Sequence, residues 1–599
     1  MASPIEDYAI LSDCHTAALV SRDGSIDWLC LPNYDSASTF GALLGTEDHG
    51  RWMLRPADPD ARSTRAYDGD GFVLVTRWES AEGVAEVVDL MPFGQRRAEV
   101  IRRVRGISGT VEFTQELRVR FDYARAMPWM RQVGTPEQPA LAAIAGPDAL
   151  VLRGAALHPT DHAHAGTVTV TEGETVDLTL TWFPSHRDTP PPIDVDAAID
   201  ATTRWWRAWG DRITHHGPHH AEVVRSLLVL RALTHEDTGG IVAAATTSLP
   251  EDFGGVRNWD YRYVWLRDAS LTLEALLEHG FTDEATQWRH WLLRAIAGDP
   301  GDVQIMYGLA GERDLPEREL DNFPGYDGAA PVRIGNGAVT QYQADVMGEV
   351  MVALEAARLA GVEEGPYSWP LQRALLDYVE QHLDRPDNGI WEMRGDPRMF
   401  TYSRVMIWAA FDRGVRAVRE HGFTGPADHW EALRERMRAE IDERGYDAQH
   451  GFFVQAYGST EVDASLLLLP QVGYCAPDDE RMLGTVAEIE RRLMRDGLLH
   501  RYRTQTAVDG LPGDEHPFLA CSFWLVEQYA ASGRDHDARL LMNRLCGIAN
   551  DVGLVSEEYD VTLQRHAGNT PQALSHLALV RAADALTGRH GRAAHRRSR

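Results

Sequence analysis

Two glutamates carry the clearest chemistry in this sequence. Glu392 closes the segment DNGIWE (387–392), beside Trp391 and just before Met393. A carboxyl against apolar aromatic surface resists ionisation, so its pKa rises and it can donate a proton near neutrality. Glu557 stands in GLVSEEYD (553–560), where adjacent carboxylates and a Tyr can form a general base with an orienting neighbour. Taken singly, each segment also reads as an ordinary surface acid or a solvated acidic turn.

Two further segments supply binding groups. In NWDYRYVWLRD (258–268), Arg267 and Asp268 present a fork of donors and a pair of acceptors to vicinal hydroxyls, while Tyr261 and Trp265 offer aromatic walls. A helix N-cap at Asp268 with a salt bridge from the Arg explains the same residues. Arg501, in HRY (500–502), can donate to a ligand hydroxyl or hold a carboxylate. Glycoside hydrolysis asks for this combination: one carboxyl to protonate the leaving oxygen, one to activate water or attack, and partners for ring hydroxyls.

These residues need positioning, and the chain divides into two regimes of hydrophobic period. Up to about residue 195, segments such as GFVLVTRWE, GVAEVVDLMP, TVEFTQELRVRFDYA and ETVDLTLTWF alternate with period two and are punctuated by Gly, Asp and Pro. They predict an N-terminal antiparallel β-sandwich over 1–195. TPPPIDVD (189–196) breaks the pattern. A connecting helix is expected over 196–218, with Trp205, Trp206 and Trp209 near one stripe. From 219 to 590 the period becomes 3.6, and about a dozen helices, many ending in Gly, predict an (α/α)6 toroid whose loops converge on one pocket. The basic stretch 591–599 reads as a frayed tail.

Composition narrows the function. The 599 residues are 44% hydrophobic and 25% charged, with 89 acidic against 59 basic residues and a net charge of -30. Such a surface repels phosphate backbones and anionic lipid, so nucleic-acid and membrane partners are not expected. Five widely spaced cysteines without a CxxC pair argue against a disulfide framework or a zinc knuckle. No signal segment or long apolar run is visible, which points to a cytoplasmic protein. The histidine groups His158, His162, His164 and His215, His216, His219, His220 lack regular ligand spacing and read as solvated rather than metal-binding.

Several long motifs resemble bacterial members of glycoside hydrolase family 15, the glucoamylase-like and trehalase enzymes. They are PIEDYAILSDCHTAALVSRDGSIDWLCLP near the N-terminus, GGVRNWDYRYVWLRDAS, ERDLPERELDNFPGYDGAAPVRIGNGA, DNGIWEMRG and HAGNTPQALSHLAL. The resemblance implies that Glu392 is the general acid and Glu557 the general base. It implies that Arg267 and Asp268 hold the non-reducing glucose, that Tyr261 lies near the catalytic water, that Trp265 forms a wall with Trp391 beside the acid, and that Arg501 flanks the scissile bond. The implied activity is an inverting, exo-acting α-glucoside hydrolase releasing β-glucose, with its carboxyls roughly 6.5–9.5 Å apart.

One departure bears on substrate. The fungal pattern places a second Glu directly after the acid, and here that position is Met393. With no starch-binding module in view, a trehalase-like activity on α,α-trehalose is expected ahead of a glucoamylase or glucodextranase activity on α-1,4 or α-1,6 links. A phosphorylase would need no base carboxylate, and a non-catalytic glucan-binding protein would keep the aromatics but need neither acid. The resemblance implies no required organic cofactor; the irregular histidine spacing and the lack of a calcium-loop pattern predict no metal ligand, and modulation by phosphate or Mg²⁺ is left open. The expected partner is a small carbohydrate; oligomeric state is left open.

Overall fold

The computed structural model describes residues 2–94, 97–506 and 508–588. The first part is a sheet structure and the second is helical. The basic tail expected over 591–599 lies outside the described residues.

Fifteen antiparallel-paired strands form the sheet part, organised around the long strand Glu99–Arg118. Its first half pairs with Gly83–Leu90 and Thr175–Pro184, its second half with Arg51–Pro56 and Ala163–Thr171. The strand therefore passes from one ladder set to the other, turning at Gly106–Gly109. A Cβ on Gly106 would stand 1.9 Å from the Thr171 carbonyl oxygen, so only glycine permits that close approach. Strands such as Leu74–Glu79 bury every second residue, as period two requires. Tyr8–Ser12, Ala17–Ser21 and Ser25–Cys30 are buried throughout and show no alternation. The helical half reaches these strands: Trp28 Nε1 donates to the Ala245 carbonyl (2.9 Å) and Ser12 Oγ to that of Ala232 (3.2 Å). The end of TVEFTQELRVRFDYA is not strand; Phe121–Ala124 is a tight turn with left-handed Asp122, Tyr123 and Ala124.

The connecting helix runs over Val195–Gly210, shorter than 196–218, capped by Asp194, whose side chain accepts from Ala197 N–H (3.0 Å). It ends at Gly210, before GDRITHHGPHH can continue an apolar stripe. Trp206 packs edge-on against Phe72 of the sheet part, and Trp209 stacks on Phe281 of the helical part while donating to Glu284 (2.7 Å). The helix thus clamps both halves.

In the helical part, Leu266–Glu278 packs on Asp345–Leu359, and that helix on Thr401–Arg419. The short 3-10 turn Ala464–Leu468 joins Thr401–Arg419 to Leu519–Ala531, which packs on Ala573–Leu586, and this last returns to Leu266–Glu278. These members are largely buried: Leu519–Ala531 (LACSFWLVEQYAA) and Ala573–Leu586 bury most of their residues. Further helices lie against them, among them His220–Ala232 on Ala573–Leu586, Ala427–Arg444 on Thr401–Arg419 and Asp535–Cys546 on Leu519–Ala531. Every helix expected from the 3.6 period is present; Ala464–Leu468 was not expected, because five residues carry no readable period. No helix among the described residues is long and apolar enough to cross a membrane.

Candidate active site

One cavity opens where the helices Leu266–Glu278, Leu519–Ala531 and Ala573–Leu586 begin. Its space, open solvent at the mouth included, is ≈ 900 Å³, and it is lined by Tyr261, Trp265, Arg267, Asp268, Trp391, Glu392 and Arg501, all anticipated above. The segments that bring them together are short ladders rather than free loops: Asn258–Asp260 pairs with Thr247–Pro250, and Glu558–Asp560 with Arg565–Ala567. Helix Leu266–Glu278 starts after Trp265, so Asp268 lies in the first turn and is not the cap.

Glu392 sits in a tight turn held by its N–H to the Gly389 carbonyl (3.1 Å), with φ 57. A left-handed non-glycine residue is strained, and such strain collects at functional sites. Its Oε1 accepts from Trp265 Nε1 (2.5 Å) and lies 3.8 Å from Arg267 Nη2. Burial raises its pKa, while Arg267 and the Trp265 hydrogen bond restrain the rise. Arg267 is held in turn by Asp268 (3.1 Å) and the Ile390 carbonyl (2.7 Å).

Glu557 does not line the cavity and is fully buried. Tyr261, which does line it, donates its hydroxyl to Glu557 Oε1 at 2.6 Å. Glu557 Oε2 accepts from Asn569 N–H (3.2 Å). Tyr261 meets Trp265 edge to face at 5.5 Å, so Glu557, Tyr261, Trp265 and Glu392 form one contiguous chain across the site.

Arg501 does hold carboxylates. Its Nη2 donates to Glu515 (2.6 Å) and Glu251 (2.9 Å), lies 3.6 Å from Glu558, and its guanidinium sits over Trp391 and Phe518. Oxygens of Glu251, Glu515 and Glu558 gather within 4.8 Å, a grouping that suits a cation, but the guanidinium already supplies the positive charge at their centre. Sequence reading did not single out Glu251, Glu515 or Arg257, which pairs with Asp509 (2.6 Å). Isolated acids in loops leave no periodic signal.

Five buried carboxyls, Glu251, Asp509, Glu515, Glu557 and Glu558, face the two guanidiniums of Arg257 and Arg501, so the cluster favours retaining a proton. Burial and the neighbouring Glu251 raise the pKa of both Glu557 and Glu558. Both oxygens of Glu557 accept hydrogen bonds, which stabilises its ionised form. Oε1 of Glu558 has no hydrogen-bond partner. The retained proton is therefore better placed on Glu558.

Met393 is turned away from the cavity and packs with Phe400, Ala456, Tyr502 and Val508. The side chain that reaches the mouth is Arg394, paired with Glu317 (2.6 and 3.0 Å) over the face of Trp259. The histidines also differ from expectation in part. His215 is not solvated; with His279 it brackets the Asp584 carboxylate, each at 3.1 Å. His158 and His162 are exposed.

Residues 217–584 match the model of glycosyl hydrolases family 15, and residues 1–171 that of the trehalase-like N-terminal region. With the site just described, the chain belongs to glycosyl hydrolase family 15. It is 37% identical to a trehalase of Mycobacterium tuberculosis, over 97% of this chain and 89% of that one. It is 36% identical to a trehalase of Thermoplasma acidophilum, over 95% and 98%. A solved bacterial glucoamylase complexed with acarbose shares its fold, with TM-score 0.73 at 12% identity over 98% of this chain and 94% of that one. The protein is a glycoside hydrolase.

Proposed function

We propose that this enzyme hydrolyses α,α-trehalose with inversion, releasing β-glucose from the unit held deepest. The observation that carries this is the Glu557–Tyr261–Trp265–Glu392 chain, which ties two remote carboxyls to one cavity beside the Arg267–Asp268 pair. Arg267 and Asp268 grip hydroxyls of the inner glucose. Glu392, whose protonated form burial favours, gives its proton to the bridging oxygen. Water beside the Tyr261 hydroxyl attacks the opposite face, and Glu557 takes up its proton. Trp391, Trp524 and Phe518 wall the space for the second sugar, and Arg501 holds that wall in place.

The disaccharide preference is supported by the trehalase names of relatives matched along nearly the whole chain. The closed succession of buried helices reads as the inner layer of an (α/α)6 toroid, Ala464–Leu468 being its shortened member, and the sheet half as a β-sandwich domain joined through Val195–Gly210. The acid–base chemistry requires no organic cofactor. The reading places the enzyme in the cytoplasm, acting on a small neutral sugar. Initial rates on trehalose, maltose and isomaltose, with and without phosphate, test the proposal. Trehalose is expected to be fastest. A preference for maltose would support the glucoamylase reading, and glucose 1-phosphate a phosphorylase.

A further inference from the structure

We propose that His219, Glu222 and Cys546 form a binding site for a soft divalent metal ion, with Zn²⁺ the best match. His219 is the residue before helix His220–Ala232, Glu222 lies in that helix's first turn, and Cys546 is the last residue of Asp535–Cys546. One donor atom from each lies within 4.8 Å of the other two. Cys546 Sγ stands 3.5 Å from His219 Nδ1. Two atoms bound tetrahedrally to zinc, sulfur at about 2.3 Å and nitrogen at about 2.0–2.1 Å, stand about 3.5–3.6 Å apart. The contact already has that spacing.

The donor set selects the ion. Thiolate and imidazole favour Zn²⁺ over Mg²⁺ or Ca²⁺, which prefer oxygen. Three protein ligands leave a fourth position for water, and all three residues are half-buried, so solvent can reach it. Cys546 closes its helix, where the carbonyl end of the dipole favours a cation. His219 adopts a left-handed backbone, φ 63, in the turn that brings its ring to Cys546. None of the three lines the catalytic cavity. The ion would cross-link two helices that both pack on Ala573–Leu586. Irregular histidine spacing hid it in the sequence, because its cysteine comes from a remote helix.

Metal-free full-length protein, kept reduced, is titrated with Co²⁺ and then Zn²⁺. A near-ultraviolet thiolate-to-cobalt absorption is expected, saturating at one equivalent and displaced by Zn²⁺. It should survive Cys475→Ser and vanish in Cys546→Ser and His219→Ala. Zn²⁺ should raise the thermal midpoint of the wild type but not of Cys546→Ser. An absorption that persists in Cys546→Ser overturns the proposal. So does its absence in wild type, which would leave the 3.5 Å contact a thiol–imidazole hydrogen bond. If Cys546→Ser does not fold, His219→Ala and Glu222→Gln carry the same test.

Discussion

Tyr261, on the cavity wall, donates a 2.6 Å hydrogen bond to the buried Glu557. Under the proposed mechanism Glu557 is the base, and its charge depends on that hydroxyl. In Tyr261→Phe the ionised form loses a donor, so the Glu557 pKa rises. Activity that needs ionised Glu557 disappears as pH falls through this pKa. The acid limb of the kcat profile should move to higher pH by about one unit, as read from pH–rate profiles of variant and wild type. An unmoved limb would remove Glu557 from the base role.

Under the same proposal Glu392 sets the opposite limb: it would act protonated, so activity would be lost as pH rises through its raised pKa. Trp265→Phe removes the 2.5 Å donor that favours ionisation, and the basic limb should shift upward. Glu392→Gln should lower kcat by about 10²–10⁴ while the circular dichroism spectrum stays native.

Arg262 links the two halves beneath this site. Its guanidinium is fully buried, pairs with Asp260 at 2.7 and 2.9 Å, and reaches the Ser36 carbonyl (2.8 Å) and the Tyr123 hydroxyl (2.9 Å). Arg262→Ala leaves Asp260 buried and uncompensated, which should cost about 3–5 kcal/mol in urea unfolding. Adding Asp260→Asn should recover part of that loss, since the orphaned charge is then gone. A single variant as stable as wild type would contradict this coupling.

Alkaline pH should destabilise the fold through Glu349. Burial raises its pKa from 4.5 to about 8, and it accepts from the Tyr402 hydroxyl. The folded state therefore holds a proton that the unfolded state has released between these values. That stabilisation is complete below 4.5 and is lost as pH rises through about 8. Glu349→Gln keeps an acceptor for Tyr402 and has no proton to lose, so its urea midpoint should fall less than that of wild type between pH 6 and 9.

Much of this was legible in residue order because strong periods announce themselves. The helix Leu519–Ala531, apolar all round, could only be a buried one. What escaped had physical causes. Tyr8–Ser12 is covered on both faces and shows no alternation, and Ala464–Leu468 is too short for a helical period. Linear neighbours also mislead about direction: the left-handed turn at Glu392 sends Met393 into the core and Arg394 to the cavity. Glu557 stood out in its segment, but its hydrogen bond from Tyr261 depends on a contact across 296 positions.

The inverting hydrolysis of trehalose is tested most directly by proton NMR of the first products, recorded faster than glucose mutarotates. Inversion at one unit, with the other leaving unchanged, predicts equal amounts of α- and β-glucose at the earliest times. Products that begin as α-glucose alone would contradict the mechanism. Trehalose left intact under conditions where maltose is cleaved would contradict the substrate.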